Sequence, residues 1–291
     1  MSDPNRIPLT RVAFSRLDKV LYPETGITKA GVIEYYIRIA SHILPFLAER
    51  PLALHRFPEG TGSPGFYEKD APEGIPPWVE TYTRHSRSAG RDVRYVVCST
   101  LDTLLWLANL AALELHIPLS RRISFETPDC ALFDLDPHPP AGFAEATTVA
   151  LALRTLLSDL GLACYVKTTG QSGLHVVVPV MPVYSFAQTR SFVRLVGEHL
   201  AGEISSISLE RAPALQAGNV VIDYAQNAPG RTMVAPYSLR ARPSATVSTP
   251  VGWNELEKGI DPGMFTLETV PHRHTHPWKN LFKSLHKLEF A

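Results

Sequence analysis

The chain has 291 residues, of which 45% are hydrophobic, enough to bury a sizeable core in one large domain or in two modules sharing a sheet region. Its 28 Lys and Arg balance 28 Asp and Glu, so there is no global electrostatic pull on nucleic acid and any such affinity has to come from local patches, with HRF at 55–57, containing Arg56, and LSRRI at 119–123 as candidates. Cys98, Cys130 and Cys164 show no C-x-x-C spacing, and neither a charged-then-apolar leader nor a run of roughly 18 apolar residues is present. These features argue against a disulfide framework, a cysteine zinc site, export and a membrane span, and a soluble cytoplasmic protein is expected.

In chain order, residues 1–10 read as a flexible arm and 29–48 as an amphipathic helix closed off by Pro51. The Pro- and Gly-rich stretch 57–78 reads as a long loop, and the apolar run 101–116 as a second helix ended before Pro118. From 131 onward the pattern alternates: a strand in ALFDLDP (131–137), a helix at 145–160, strands at 162–167 and 174–180, a helix at 185–201 and a strand at 219–224. This predicts an α+β fold with helices on a sheet. The tail beyond about 243 is the least legible. In PHRHTHPW (271–278), His272, His274 and His276 alternate, so a strand there could present imidazoles to a transition metal; surface histidines beside a packed Trp278 are the plainer reading.

The chemistry concentrates in three places. Asp134 and Asp136 are two residues apart at the end of an apolar strand, so both carboxylates project from one face, roughly 7 Å apart at the backbone. Pro137 is expected to take the chain out of the sheet just past Asp136, opening the pair to a cleft where hard divalent cations with oxygen ligands fit. D-x-D also occurs in turns where the acids only cap backbone N–H groups. NVVIDYAQN (219–227) is another apolar run ending in an acid, Asp223, which becomes a third carboxylate of the same site if the strands are neighbours. Between them KTTGQSGLHVVVPV (167–180) leads a hydroxyl- and glycine-rich turn into a strand near His175. Turn N–H groups with Thr168, Thr169 and Ser172 suit phosphate oxygens, although a simple connection with a core histidine accounts for the same residues.

Together with DKVLYPETGITKAGVIEYY (18–36), GFYEKDAP (65–72), TLLWLANLAALELH (103–116) and VAPYSLRAR (234–242), these strings resemble, in order and over roughly 10–255, the polymerase domain of bacterial ligase D. That family lies in the archaeo-eukaryotic primase superfamily active in nonhomologous end joining. The resemblance implies a primase-polymerase fold: an RNA-recognition-like catalytic sheet flanked by helices and an N-terminal α/β module, as one catalytic domain with an N-terminal module at 11–118 and a catalytic module and tail at 119–291. It implies that Asp134, Asp136 and Asp223 hold two Mg²⁺ or Mn²⁺ ions for attack of a 3′-hydroxyl on an α-phosphate. Thr169, Ser172, His175 and Arg240 would line the triphosphate site, with His116, at the end of the second helix, near template and nucleotide. Lys19 and Lys29 would read the 5′-phosphate of the strand downstream of a gap, and Phe66 and Tyr67 would stack on templating bases.

The chain departs from the family at Ser172, where a lysine is usual, and in RAPALQAGN (211–219), where Gln216 and Asn219 stand at positions that can be basic. Fewer cations should weaken phosphate binding and flatten its salt dependence, by a slope of roughly 0.9 per lost contact on duplex DNA. Three functional classes are therefore on the table. One is a template-dependent nucleotidyltransferase, preferring ribonucleotides, that fills gaps and extends ends beside a Ku-like end binder and a separate ATP-dependent ligase in the nucleoid. The alternative is a catalytically weakened adaptor for DNA ends and 5′-phosphates; a metal-dependent phosphoesterase is the third, with Arg240 arguing against it. The intact three-aspartate set favours the first, because carboxylates kept together without a cation repel one another and DNA.

Overall fold

The computed structural model describes residues 10–86, 89–209 and 217–288. The chain divides into two compact units, the first formed by 1–117 with 234–247 and 263–273, the second by 118–233 with 248–262 and 274–291. The expected arm thus lies outside the described residues except for Thr10, as does Gln216.

In the first unit a short hairpin, β1 (Val20–Tyr22) and β2 (Ile27–Thr28), feeds helix α1 (Lys29–Leu47). The Thr28 hydroxyl accepts from Gly31 N at 3.4 Å and caps the helix. Val32, Tyr36, Ile39, Ile43 and Leu47 recur at three- and four-residue intervals and are all buried, so the helix lays one apolar face on the core. Strands β3 (Ala53–Arg56) and β4 (Phe66–Glu68) pair antiparallel, and β5 (Thr81–Ser86) forms a separate hairpin with β6 (Arg91–Val96). Helix α2 (Leu101–Asn109) is capped by Thr100 and packs on α1; strand β7 (Ala112–Pro118) follows and pairs with β3.

Two expectations are corrected here. The predicted second helix stops at Asn109, because Ala111 adopts φ +55° and turns the chain into β7. His116 therefore sits in a strand. The run ALELHIP is buried along its whole length, and a strand covered on both faces carries no period-two signature that would separate it from a buried helix. The predicted loop at 57–78 likewise contains β4, whose Tyr67 and Phe66 register with His55 and Arg56. The returning segment 234–247 is tied in by side chains: Tyr22 Oη donates to Arg240 O at 3.0 Å, Tyr35 Oη to Tyr237 O at 2.7 Å, and Leu115 N to Ser238 Oγ at 2.8 Å.

The second unit is a six-stranded sheet. Its strands are β8 (Cys130–Pro137), β9 (Tyr165–Thr168), β10 (Leu174–Pro179), β11 (Ile207–Ser208), β12 (Val220–Ile222) and, after β13 (Thr232–Val234) at the return to the first unit, β14 (Pro250–Val251). The order is β11-β12-β8-β10-β9-β14, antiparallel except for β11 with β12. Helices α3 (Phe143–Asp159) and α4 (Phe186–Glu203) pack on β8, and α5 (Trp253–Glu257) lies against α3. Strand β8 is central, and Leu132 on one face and Phe133 and Leu135 on the other are essentially inaccessible.

Pairing of β8 runs one step further than expected, through Pro137 opposite Val220 and on to His138 N donating to Asn219 O at 2.9 Å. Bonded pairs alternate along this ladder, and Pro137 falls between the bonded positions of Asp136 and His138, so its missing N–H costs β12 nothing. The histidine-rich tail is also not a strand: 270–272 and 277–280 form 3-10 turns, His272 pairs with Arg38 at 3.1 Å, and Trp278 is buried with its Nε1 donating to Val166 O.

Asn227 finishes this part of the sheet with a side chain. Its Oδ1 accepts from Leu132 N at 2.9 Å while its Nδ2 donates to Leu132 O at 2.7 Å and to Tyr224 O at 3.1 Å, so an amide imitates a strand neighbour for β8. Asn227→Ala leaves buried backbone groups without partners and should cost about 2–4 kcal/mol in urea unfolding of the whole chain, whereas a change within about 0.5 kcal/mol would contradict this role.

Candidate active site

The second unit brings the sequence-predicted acids into one row. On β10, β8 and the end of β12, His175 registers with Asp134, and Asp223 N donates to Asp134 O at 2.9 Å, so the three residues stand side by side on adjacent strands. Directly paired residues have Cβ atoms roughly 5 Å apart. Asp136, two residues along β8, shares the face of Asp134. Asp134 is buried, with Oδ1 3.2 Å from His175 Nε2. Asp223 caps a 3-10 turn, accepting from Ala225 N at 3.1 Å and Gln226 Nε2 at 3.3 Å.

Asp136 carries the electrostatic cost of this arrangement. Partial desolvation, followed by the charges of Asp134 and Asp223, pushes its carboxyl up to about 7 although the residue keeps an exposed side, with His138 pulling the other way. A cation relieves that repulsion, and a set of carboxylate oxygens matches hard Mg²⁺ or Mn²⁺. Among the described residues no three His, Cys, Asp or Glu side chains are placed to hold a metal ion between them as they stand. Asp134 and Asp223 instead keep His175 and the local turn as partners, which they would exchange in part for an ion.

The turn between β9 and β10 is built against this row. Thr169 is buried; its hydroxyl donates to Gly173 O at 3.1 Å and accepts from Gln171 N at 3.2 Å, closing the turn on itself, with Gly170 at φ +73°. Ser172 is exposed at the tip. A Cβ on Gly173 would stand 2.5 Å from Leu135 O and 3.3 Å from Asp136 Oδ1, so only glycine lets the turn lie on the strand that carries the acids.

The other residues picked from the sequence lie in the first unit, where two further groupings form. Lys29 is buried, its Nζ donating to Ser15 O at 2.9 Å; burial, then the charges of Lys19 and Arg16, lower its pKa. Lys19 pairs with Glu59 at 2.7 Å. Arg16, with φ +50°, is the member of this cation cluster that sequence patterning did not single out.

The second grouping centres on Glu114, also missed from the sequence. Its Oε1 accepts from Arg240 Nε at 3.1 Å and Ala241 N at 3.0 Å, while Oε2 lies 3.0 Å from His116 Nε2 and 3.4 Å from His55 Nδ1. Burial alone would raise its pKa, but the His116 hydrogen bond and the Arg240 charge overturn this and hold the carboxyl well below the usual range. Beside it, exposed Tyr67 stacks on His55 at 4.1 Å and 9°, and its edge meets His116 at 5.6 Å. Phe66 is exposed too. Arg56 braces this platform: it bonds Glu68 at 2.8 Å and Leu110 O at 3.2 Å, with its guanidinium 5.3 Å from the Phe66 ring centre. Alternation in ALELHIP puts Glu114 and His116 on one face once that run is read as a strand, which is the signal that could have found Glu114.

A cation entering the acid row must displace the Asp136 proton, so Mn²⁺ binding followed by electron paramagnetic resonance should tighten about tenfold from pH 6 to pH 8, and Asp136→Asn should abolish that slope. In the metal-free chain the sign is opposite for folding: the folded state keeps a proton that the unfolded chain releases, so stability should fall as pH rises from about 4 to about 7. Gly173→Ala presses on Leu135 and Asp136, and Mn²⁺ affinity should drop about tenfold in the same measurement.

Residues 28–281 match the family described as LigD, primase-polymerase domain. The bifunctional non-homologous end joining protein LigD of Bacillus subtilis is 32% identical over 265 residues, covering 90% of this chain and 42% of that protein. The multifunctional non-homologous end joining DNA repair protein LigD of Mycobacterium tuberculosis is 35% identical over 256 residues, 85% of this chain and 34% of that one. The chain thus spans well under half the length of these relatives. The solved polymerase domain of Mycobacterium tuberculosis ligase D, in complex with DNA, superposes with a TM-score of 0.87 at 32% identity, over 96% of this chain and 100% of that one. With its α+β sheets, its strand-borne aspartates and these similarities, the chain belongs to the LigD primase-polymerase domain family.

Proposed function

We propose that the chain is a template-dependent nucleotidyltransferase that extends a primer 3′-hydroxyl across short gaps and at broken DNA ends, with ribonucleotides preferred. The observation that carries this reading is the row His175, Asp134 and Asp223 across three paired strands with Asp136 on the same face. Two Mg²⁺ or Mn²⁺ ions bound there would supply Lewis-acid activation of the attacking hydroxyl and stabilise the leaving pyrophosphate. Asp134, Asp136 and Asp223 would hold the ions, with His175 orienting Asp134. The turn of Thr169 and Ser172 offers hydroxyl and backbone donors to phosphate oxygens, and Arg240 grips the triphosphate with His116 near the nucleotide.

The remaining first-unit residues suit the polymer. Lys29, depressed by burial and by neighbouring cations, gains from a dianion, so with Lys19 and Arg16 it fits the 5′-phosphate at the far side of a gap. Phe66 and Tyr67 offer exposed rings to templating bases, and Arg56 stiffens the strand beneath them. On this reading the chain is one catalytic domain with an N-terminal module and a catalytic module; the boundary between the two compact units near 117 supports that division, with 234–247 and 263–273 returning to the first unit. Its partners on this reading are gapped or broken DNA, ribo- or deoxynucleoside triphosphates, a Ku-like end binder and a separate ATP-dependent ligase, all at the nucleoid; no helix among the described residues is long and apolar enough to cross a membrane.

The deciding assay is primer extension on DNA with a one-nucleotide gap and a 5′-phosphate, with Mn²⁺ or Mg²⁺ and either sugar. Wild type should add the templated nucleotide, and Asp134→Ala with Asp136→Ala should lose at least about a thousandfold in rate. Lys29→Ala should erase most of an approximately tenfold advantage conferred by the 5′-phosphate. DNA binding without addition under either ion would move the function to the end-binding adaptor.

A further inference from the structure

The polymerase reading gives Glu114 no task, yet it is among the most buried charged groups of the first unit and four nitrogens converge on it. An ionised carboxylate carries no hydrogen and can only accept. His116 faces its Oε2 through Nε2 at 3.0 Å, so Nε2 is the protonated nitrogen. Burial lowers the pKa of His116 against the pull of Glu114, which keeps the ring neutral near pH 7 and leaves Nδ1 as a lone-pair acceptor. The other oxygen, Oε1, accepts from Arg240 Nε and from the next residue's backbone N, which fixes the plane of the guanidinium.

We propose that Glu114 is a positioning residue for nucleotide binding: it anchors Arg240 through Nε and locks His116 as the Nε2–H tautomer, and so sets which donors and acceptors these two side chains present. The proposal rests on the reading of Arg240 and His116 as nucleotide ligands. A carboxylate kept only to balance the arginine's charge would have no influence on the tautomer of His116 that matters to a ligand, and its neutralisation would leave Arg240 more strongly attractive to a triphosphate.

Glu114→Gln separates the two roles at constant shape. Two donors, Arg240 Nε and Ala241 N, hold the amide oxygen on their side, which turns the amide NH₂ toward His116 Nε2 and forces that nitrogen to accept. Histidine ¹⁵N shifts, assigned through His116→Gln, should report Nε2–H in the wild type between pH 7 and 8 and Nδ1–H in Glu114→Gln. Binding of ATP with Mn²⁺, measured by calorimetry on the full chain, should weaken about tenfold in the variant, with Glu114→Asp in between. An Nδ1–H or doubly protonated His116 in the wild type overturns the proposal without any variant. So does an ATP affinity that is unchanged or tighter in Glu114→Gln. A wild-type chain with the Nε2–H tautomer that binds no ATP with Mn²⁺ overturns the nucleotide reading on which the proposal rests, and that failure is visible before the variant is made.

Discussion

Backbone pairing around β8 is the constraint on which the acid site depends. Carboxylates repel, and nothing in their own chemistry would gather Asp134, Asp136 and Asp223 at one end of a sheet. The gathering is done by main-chain bonds and by apolar residues on the other side of the strand: Phe133 and Leu135 fix β8 between β10 and β12, and a slip of one residue would turn these out and the acids in. The unfavourable proximity of the charges is thus offset by burial elsewhere in the same strand, and it adds to desolvation in raising the Asp136 pKa.

The two units use different means to place polar groups. In the second, side chains take their positions from strand register and from one glycine that admits a turn to within touching distance of β8. In the first, a single buried acid organises an arginine and two histidines, and a cluster of cations is held by a carbonyl, Ser15 O, and an exposed glutamate, Glu59. Mutual satisfaction of this kind is what allows charges to be buried at all.

How much of this could be read from the residues follows from the same physics. The D-x-D spacing translated directly into a shared face because strand geometry has period two, and α1 declared itself through its apolar recurrence. The α+β class and the family were likewise visible in short strings. Strand β7 was not, because a fully buried run has no alternation to betray it, and with β7 went Glu114, whose significance lies in contacts with Arg240 and His55, residues 126 and 59 positions away in the chain. Arg16 was hidden for another reason: its place in the cation cluster depends on a left-handed backbone that no side-chain pattern announces.

The return of 234–247 to the first unit has a consequence for how the protein is made. Tyr22 and Tyr35 find their acceptors at Arg240 and Tyr237, and Leu115 N finds Ser238, so a nascent chain carries these donors unanswered until residues 237–240 have left the ribosome. The second unit's β8, β10 and β12 are complete before that point. Synthesis therefore presents the acid-bearing strands before the segment that closes the amino-terminal unit, and a fragment ending near residue 117 is an unfinished fold rather than a small domain.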